Sequence, residues 1–283
     1  IVLYLACMQL NAIAVAVNTR FKGSEVADIV SRSGAKSIIF WPLFKKANFL
    51  GVLNSVTDAA FNKLESVIIY DEEENDFMSN SLLPNSFYSK KVTTYLELID
   101  HSGAEIDRSQ PDAGSNIFTT SGTTKAPKFV LHSHRSISIH ASEVWRNLEP
   151  LIKSNAFFHT LPFCGVFGFN HFSAALSGAR PNVIQSAFSA REAIDLIDRH
   201  KVHYISVTDD MLLALLEADD RHPALPSLTC CGYGAFNLPP EEITLRASAR
   251  GINCSIILSP PREFTVALVI DCLLYTSPSP RDG

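Results

Sequence analysis

The sequence predicts an α/β fold in which mostly parallel sheets are flanked by helices. The N-terminal part alternates a strand at 13–17, a helix at 24–33 and a strand at 37–41. A second series runs from a strand at 156–161 through an amphipathic helix to a strand at 202–207. Strands that alternate with helices in this way are typical of parallel sheets. The 283 residues are 46% hydrophobic and 19% charged, which is enough for one large or two medium lobes.

The first residues are mostly apolar, but they do not predict a signal peptide or a membrane span. No basic segment precedes them, and Gln9 and Asn11 interrupt the run. We interpret them as the end of a helix, up to Leu10, followed by a buried strand. Because the chain begins at Ile1 rather than at a methionine and opens inside this helical segment, we expect a truncated start.

The next element carries clear helix signals. Ser24 is a residue type that caps helices, and Gly34 is typical of a helix end. An apolar stripe lies between them, formed by Val26, Ile29 and Val30. Further elements are predicted as an amphipathic segment at 48–64, a strand at 66–70 and helices at 95–99, 133–147, 190–200, 210–217 and 239–250. The acidic run 71–76 is interpreted as a solvated loop rather than a metal site.

The stretch 119–134, TTSGTTKAPKFVLHSH, is the most informative part of the chain. Five hydroxyl residues surround Gly122, and Lys125 and Lys128 follow. Hydroxyls, backbone N–H groups and lysines suit an anion, and a glycine permits close approach of the backbone. Short strand-like runs flank the loop, so we predict a strand–loop–strand flap over a polyphosphate; it lacks the Gly-Lys pair of a Walker A loop. A polar surface hairpin without a ligand is the alternative.

The residue order of this loop resembles the phosphate-binding loop of the adenylate-forming (AMP-binding) enzymes, which include acyl-CoA synthetases, aryl-CoA ligases and luciferases. Their pattern is an aromatic residue, then TSGTTGxPK, a short strand and Ser-His. The matching residues are Phe118, Thr120, Ser121, Gly122, Thr123, Thr124, Pro127, Lys128, Ser133 and His134. Thr119 is an extra residue, and Lys125 replaces a glycine, which either stiffens the loop or adds charge near the phosphates. The resemblance implies that the β- and γ-phosphates of ATP are bound by Thr120, Ser121, Gly122, Thr123, Thr124 and Lys128.

A second segment, LPFCGVFGF at 161–169, resembles the family segment that lines the acyl pocket. The resemblance implies an acyl pocket formed by Phe163, Gly165, Val166, Phe167 and Gly168. Gly165 stands where the family usually has a histidine, which leaves space and removes a polar group. No Asp or Glu between Thr160 and Asn170 can pair with a substrate ammonium, so we expect an apolar acyl or aryl acid. The alternative is a glycine-containing turn packed in the core.

Two later segments resemble the nucleotide side of the family. Residues 231–236 are similar to a Gly-rich turn whose backbone packs along the adenine, which implies an adenine-side set of Gly232, Gly234, Ala235 and Phe236. Glu263 falls where the family has the glutamate of YGxTE, which helps to hold magnesium. Ser259 and Pro260 replace the Tyr-Gly pair and Arg262 replaces the threonine, so the tyrosine that stacks on adenine is missing.

The resemblance also implies a domain organisation. We expect a first α/β lobe at 1–145 with the phosphate-binding hairpin loop at 119–128, and a second lobe at 146–271 with the acyl-pocket and adenine-side segments. These two packed lobes correspond to the large N-terminal domain of the family, incomplete here and without the small C-terminal lid that carries a catalytic lysine. Residues 272–283 match nothing in the family and are either a non-native tail or a natural disordered terminus. We therefore expect this chain alone to bind ATP weakly and to complete no catalysis.

The implied function is ATP-dependent activation of a carboxylic acid, fatty or aromatic, to an acyl-AMP, followed by thioester formation with coenzyme A. The resemblance implies an acid–thiol ligase with Lys128 and Glu263 as catalytic residues and Mg2+, held by Glu263, as cofactor. Its partners are the small-molecule acid, ATP and coenzyme A. Two alternatives stay open: a non-catalytic or truncated nucleotide-binding relative, and a plain α/β interaction domain.

Charge and cysteine usage limit the kinds of partner and the cellular location that we expect. The formal net charge is −5 and no basic block occurs, which argues against a nucleic-acid partner. The six cysteines form neither a CxxC pair nor a zinc-ligand spacing. Scattered reduced thiols are typical of a cytosolic protein, so we expect a cytoplasmic location and no transmembrane segment.

Overall fold

The computed structural model describes residues 1–44, 47–56, 58–70, 86–87, 89–101, 103, 106–120, 128–151, 156–218, 225–235 and 237–258. The chain divides into two compact units, Ile1–His132 and Ser133–Gly283. The α-helices are α1 Val2–Gln9, α2 Gly23–Ser33, α3 Phe49–Asn54, α4 Tyr95–Ile99, α5 His134–Leu148, α6 Val166–Ser177, α7 Ala190–Arg199, α8 Asp209–Ala218 and α9 Pro240–Ser248. The strands are β1 Ala14–Val15, β2 Ser37–Phe40, β3 Leu43–Phe44, β4 Ala47–Asn48, β5 Ser66–Ile69, β6 Ser86–Phe87, β7 Lys90–Thr94, β8 Gly114–Thr120, β9 Lys128–Ser133, β10 Phe157–His159, β11 Asn182–Ile184, β12 Tyr204–Thr208, β13 Cys230–Gly234 and β14 Asn253–Leu258.

The first unit contains the predicted parallel strands. One sheet has the order β2-β5-β7-β6, in which β2, β5 and β7 run parallel and β6 is antiparallel to β7. A second sheet has the order β1-β8-β9, with β1 parallel to β8, and β3 and β4 form a short antiparallel pair. The prediction of mostly parallel sheets flanked by helices is therefore confirmed.

Helix α2 closes one side of the core of this unit. Val26 and Val30 pack in one buried cluster with Val67 of β5, as the apolar stripe predicts. Gly34 ends the helix in the left-handed conformation, at φ 65°. The predicted cap at Ser24 is wrong: Lys22 is the N-cap residue, and its backbone N–H donates to the carboxylate of Glu25 at 2.8 Å.

Two further predictions for this unit differ from the structure. The amphipathic segment 48–64 is broken, because α3 ends at Asn54 and a 3-10 helix follows at Asp58–Phe61. The hydroxyl of Ser55 donates to the carbonyl of Val52 at 2.6 Å, so a side chain satisfies a carbonyl at the helix end. The predicted strand at 13–17 is reduced to β1, which is half-buried rather than buried.

The second unit is one five-stranded parallel sheet covered on both faces. Its order is β11-β10-β12-β13-β14, and all pairs are parallel. Along β12 the side chains alternate: Tyr204 belongs to the buried cluster with α5 and α6, whereas Ile205 and Val207 belong to the cluster with α7, α8 and α9. Coverage of both faces is typical of parallel sheets.

Helix α5 starts where the sequence predicts and is the first helix of the second unit. Ser133 caps it, because its hydroxyl accepts from the N–H of Ser136 at 3.1 Å. Val144 and Leu148 of α5 pack with Ala174 and Ala175 of α6. The compact units separate after His132, whereas the expected boundary of the two lobes lies after residue 145.

Candidate functional site

The phosphate loop connects two adjacent strands of the first unit. The strands β8 and β9 are neighbours in their sheet, so the predicted strand–loop–strand arrangement is confirmed for its flanks. Thr120 is the last residue of β8, and the exposed Lys128 is the first residue of β9. The loop residues Ser121, Gly122, Thr123 and Thr124 lie outside the described residues. Their role at a phosphate therefore stays a prediction.

Buried side chains anchor the two strands that carry this loop. Phe118 of β8 is buried, and its ring meets the ring of His132 of β9 edge to face, with 5.7 Å between centroids. Burial lowers the pKa of His132, which favours the neutral ring. The guanidinium of Arg32 in α2 lies 4.1 Å from the ring centroid of Phe129. Both ends of the loop are therefore held by well-packed strands.

The predicted acyl-pocket segment belongs to the second unit and leads from the end of β10 into α6. Gly168 is buried in the first turn of α6, and a Cβ there would lie 2.6 Å from the carbonyl oxygen of Pro162 and 2.8 Å from that of Leu161. A glycine at 168 therefore lets the helix start against the preceding loop. Gly165 is the exposed N-cap residue of α6, and its Cβ would meet only ordinary contact, 3.7 Å from Pro162.

Histidines lie among the aromatic rings of this segment. The ring centroid of Phe163 is 4.8 Å from that of Phe172 and 5.9 Å from that of His159. The ring of Phe167 meets that of His171 at 5.6 Å. Sequence reasoning missed His159 and His171 because they flank residues 160–170, the only range considered for the pocket. The available signals were the position of His159 at the end of a strand and that of His171 four residues after Phe167. The pocket segment is aromatic but not uniformly apolar.

A small cavity opens beside these rings. Its volume is about 10 Å³, close to the space of one water molecule, and it is lined by His159, Leu161, Gly168, His171 and Ser206. Burial, with a smaller contribution from the neighbouring His171, lowers the pKa of His159 to about 4. Burial likewise lowers the pKa of His171 to about 4. Both rings are therefore neutral near pH 7.

The adenine-side segment is a strand rather than the expected turn. Gly232 and Gly234 lie within β13, and Ala235 follows it; all three are buried, while Phe236 lies outside the described residues. Gly232 pairs in register with Ser206 of β12. The chain turns only after β13, because a parallel strand must continue to the carboxyl edge of its sheet before it can reverse.

A buried carboxylate holds the chain just after this segment, and sequence reasoning missed it. Asp209 begins α8 and is 0% exposed. Its Oδ2 accepts from the backbone N–H groups of Asn237 at 2.6 Å and Leu238 at 2.9 Å. The exposed neighbour Asp210 accepts from the side-chain amide of Asn237 at 2.6 Å. An acidic pair at a helix start was the available signal, but its partner loop is distant in sequence.

The predicted magnesium ligand cannot be placed. Glu263 lies outside the described residues. Within the described ranges, no group of three or more His, Cys, Asp or Glu side chains could hold a metal ion. The magnesium site therefore stays a prediction. In the same part of the chain, none of the helices has both the length and the apolar character that a membrane crossing requires.

The chain is similar to several CoA ligases. It is 27% identical over 245 residues to the 7a-methyl-1,5-dioxo-octahydro-1H-inden-4-yl propanoyl:CoA ligase of Mycobacterium tuberculosis, a match that covers 84% of this chain and 45% of the ligase. It is 28% identical over 177 residues to the 2-succinylbenzoate–CoA ligase of Bacillus subtilis, covering 59% of this chain and 36% of that enzyme. The matches thus span less than half the length of these curated relatives.

The fold agrees with these relatives. The O-succinylbenzoate coenzyme A synthetase of Bacillus subtilis, solved in complex with ATP and magnesium ion, aligns with a TM-score of 0.64 and 21% identity, over 89% of this chain and 45% of that chain. The family described as AMP-binding enzyme matches residues 1–257, which is most of the sequence. The resemblance found in the phosphate loop is thereby confirmed, and the chain belongs to the AMP-binding enzyme family.

Proposed function

We propose that the protein to which this chain belongs activates a carboxylic acid with ATP and transfers the acyl group to coenzyme A. The observation that carries the proposal is the family match over residues 1–257, with the hydroxyl- and lysine-rich loop between β8 and β9 inside it. The CoA ligases among its relatives support the second step.

The first step joins two anions, so it depends on charge neutralisation and position. A carboxylate oxygen of the acid attacks the α-phosphate of ATP, the bond to the β-phosphate breaks, and pyrophosphate leaves with its electron pair. The phosphates are bound by the loop hydroxyls, the backbone of Gly122 and one lysine, that is by Thr120, Ser121, Gly122, Thr123, Thr124 and Lys128. Magnesium would neutralise phosphate charge, and Glu263, which would hold it, lies outside the described residues.

The second step needs a thiol. The thiolate sulfur of coenzyme A attacks the acyl carbon of the acyl-AMP, and AMP leaves with the electron pair of the broken bond. The adenine side, Gly232, Gly234, Ala235 and Phe236, retains the nucleotide during both steps. Asp209 positions the end of this segment through the backbone of Asn237 and Leu238.

The acid is a fatty or aromatic one in this proposal. The half-buried Phe163, Val166 and Phe167 offer apolar contact, and Gly165 leaves room beside them. Because a side chain at 165 meets only ordinary contact, Gly165→Trp should exclude bulky acids while it spares those of the size of acetate. Equal loss for all acids would show that Gly165 is only structural.

Acid-dependent exchange of pyrophosphate into ATP, measured on the protein to which this chain belongs rather than on the 283-residue chain, tests the proposal. Exchange that needs both a fatty or aromatic acid and an intact Lys128 supports it. Binding of ATP without exchange under any acid favours the alternative, a non-catalytic nucleotide-binding relative. If neither ATP nor an acyl-adenylate mimic shifts the melting temperature, a plain interaction domain is favoured instead. The cytoplasmic location is also a proposal, and it rests on the scattered cysteines.

A further inference from the structure

The cavity beside α6 lies where parallel α/β sheets bind ligands. His159 is the last residue of β10, and Ser206 lies on the neighbouring β12. Gly168 and Leu161 connect the cavity to the proposed acyl segment. Ligands of such sheets bind outside the carboxyl ends of the strands. The cavity is therefore an extension of the acyl site, and any role assigned to it rests on the proposed function.

A chain of hydrogen bonds fixes the proton positions on one wall. The Nδ1 of His171 lies 3.0 Å from the carbonyl oxygen of Phe167, which can only accept, so Nδ1 carries the proton. In a neutral ring Nε2 is then an acceptor, and it receives the hydroxyl of Tyr204 at 3.4 Å. Ser206 in turn donates its hydroxyl to the oxygen of Tyr204 at 3.0 Å. The proton of Ser206 is thus used, and its oxygen remains an acceptor.

The second wall of the cavity also presents a hydrogen-bond acceptor. The side-chain nitrogen of Asn182 donates to the carbonyl of Arg180 at 3.2 Å, which orients its oxygen toward His159. The Nε2 of His159 therefore donates to that oxygen, at 2.6 Å. In a neutral ring whose Nε2 donates, Nδ1 has a lone pair and acts as an acceptor. His159 and Ser206 are each only 4% exposed.

The side chains of the cavity thus offer acceptors and no spare donor. Two buried hydrogen-bond acceptors favour the binding of a group that donates a hydrogen bond. An ammonium is disfavoured, because the positive end of the α6 dipole lies beside the cavity and both histidines are neutral. The volume fits one group of the size of a water molecule. We propose that this cavity binds a hydroxyl group carried by the acid, so that the substrate is a hydroxylated acid rather than a plain hydrocarbon one.

The neighbouring strand leaves the same face open. Gly232 of β13 pairs in register with Ser206, and residues paired in parallel strands share a face of the sheet. Gly232 places no side chain beside Ser206 on this face. An acid can therefore approach Ser206 from the side of β13, the strand that carries Gly232 and Gly234.

Binding of matched acyl-adenylate mimics tests this inference. The sulfamate mimics of benzoyl-, hydroxybenzoyl- and aminobenzoyl-adenylate, with the hydroxyl and amino groups scanned around the ring, are titrated into the 283-residue chain by calorimetry. We expect one hydroxy mimic to bind about tenfold more tightly than the benzoyl mimic, as one buried hydrogen bond provides. Ser206→Ala should remove this preference and leave the affinity for the benzoyl mimic unchanged. Ser173→Ala is the matched control, because its buried hydroxyl donates to the carbonyl of Asn170, at 3.0 Å, outside the cavity lining.

The outcomes separate the two proposals. Equal affinity for the benzoyl mimic and every hydroxy mimic, or a preference for an amino mimic, overturns the hydroxyl inference and leaves the proposed function intact. Failure of this chain to bind any mimic overturns the hydroxyl inference, whereas the proposed function is tested separately by the exchange of pyrophosphate into ATP. A second measurement is independent of ligands: long-range 1H–15N NMR should find the proton on Nδ1 of His171 and on Nε2 of His159. The opposite tautomer at either ring would overturn the argument for an acceptor-only cavity.

Discussion

Two glycines only three residues apart have different physical roles. Gly168 faces the carbonyl oxygens of Pro162 and Leu161 at distances that no Cβ can occupy, whereas Gly165 has space. Overpacking against rigid backbone costs about 1–3 kcal/mol. We therefore expect Gly168→Ala to lower the free energy of unfolding by this amount in urea denaturation. Gly165→Ala is the matched control and should cost less, because it loses only the N-cap preference for glycine over alanine; similar losses for both variants would contradict the assignment.

Lys128 is exposed at the start of β9, directly after the phosphate loop. If its ammonium binds the polyphosphate, Lys128→Ala should weaken ATP binding by about 1–3 kcal/mol, the range of a charge-assisted hydrogen bond. Calorimetric titration with ATP measures the change. The exposed Lys63 provides the control, because Lys63→Ala removes the same charge at a position distant in sequence from the loop. An unchanged dissociation constant for Lys128→Ala would contradict the role of Lys128.

At the scale of elements, Asp209 joins the start of α8 to the chain that follows β13. Its carboxylate satisfies two backbone N–H groups, of Asn237 and Leu238, in a fully buried position. Asp209→Ala leaves these donors without an acceptor, which costs about 1–3 kcal/mol for a buried group. We expect a matching loss of unfolding free energy and faster amide hydrogen exchange at 237 and 238.

The neighbouring carboxylate is the control for this prediction. Asp210 is exposed and accepts only from the side-chain amide of Asn237 among the described contacts. Asp210→Ala should therefore stay within about 0.5 kcal/mol of the wild type, as surface substitutions usually do. A smaller loss for Asp209→Ala than for Asp210→Ala would show that the loop is held by other contacts.

At the scale of the whole molecule, buried histidines make the stability depend on pH. The pKa values of His159 and His171 are lowered to about 4 in the folded protein, chiefly by burial, against about 6.5 in an unfolded chain. The unfolded chain therefore binds more protons below pH 6.5. The stabilisation is complete above pH 6.5 and is lost as the pH falls toward 4.

We expect the unfolding free energy to decrease by roughly 2 kcal/mol for each of the two histidines between pH 7 and pH 5. Urea denaturation at both pH values measures the decrease. His171→Gln should reduce this pH dependence because an amide does not titrate in this range. The exposed His200 is the control, and His200→Gln should leave the slope unchanged. A pH dependence that is identical in His171→Gln would contradict the prediction.

The sequence by itself determined the family, the element types and several boundaries of this protein. Helix α4 at 95–99 has the predicted bounds, and α5 starts at the predicted Ser133 cap. These features are encoded locally, in the capping residue, the apolar period and the residue order of the phosphate loop. Local signals failed where a helix ended on a side-chain contact, as at Ser55, or where an expected turn was a strand, as at Gly232.

The polar arrangement around the acyl segment was decided only by the tertiary structure. His171 of α6 meets Tyr204 of β12, and Asp209 meets the backbone of Asn237, across long stretches of sequence. These contacts depend on the order and register of parallel strands, which no local pattern specifies. The sequence therefore indicated an apolar pocket from the residues inside one window. The fold added the histidines and Ser206 because it brings neighbouring strands and a helix together at one end of a sheet.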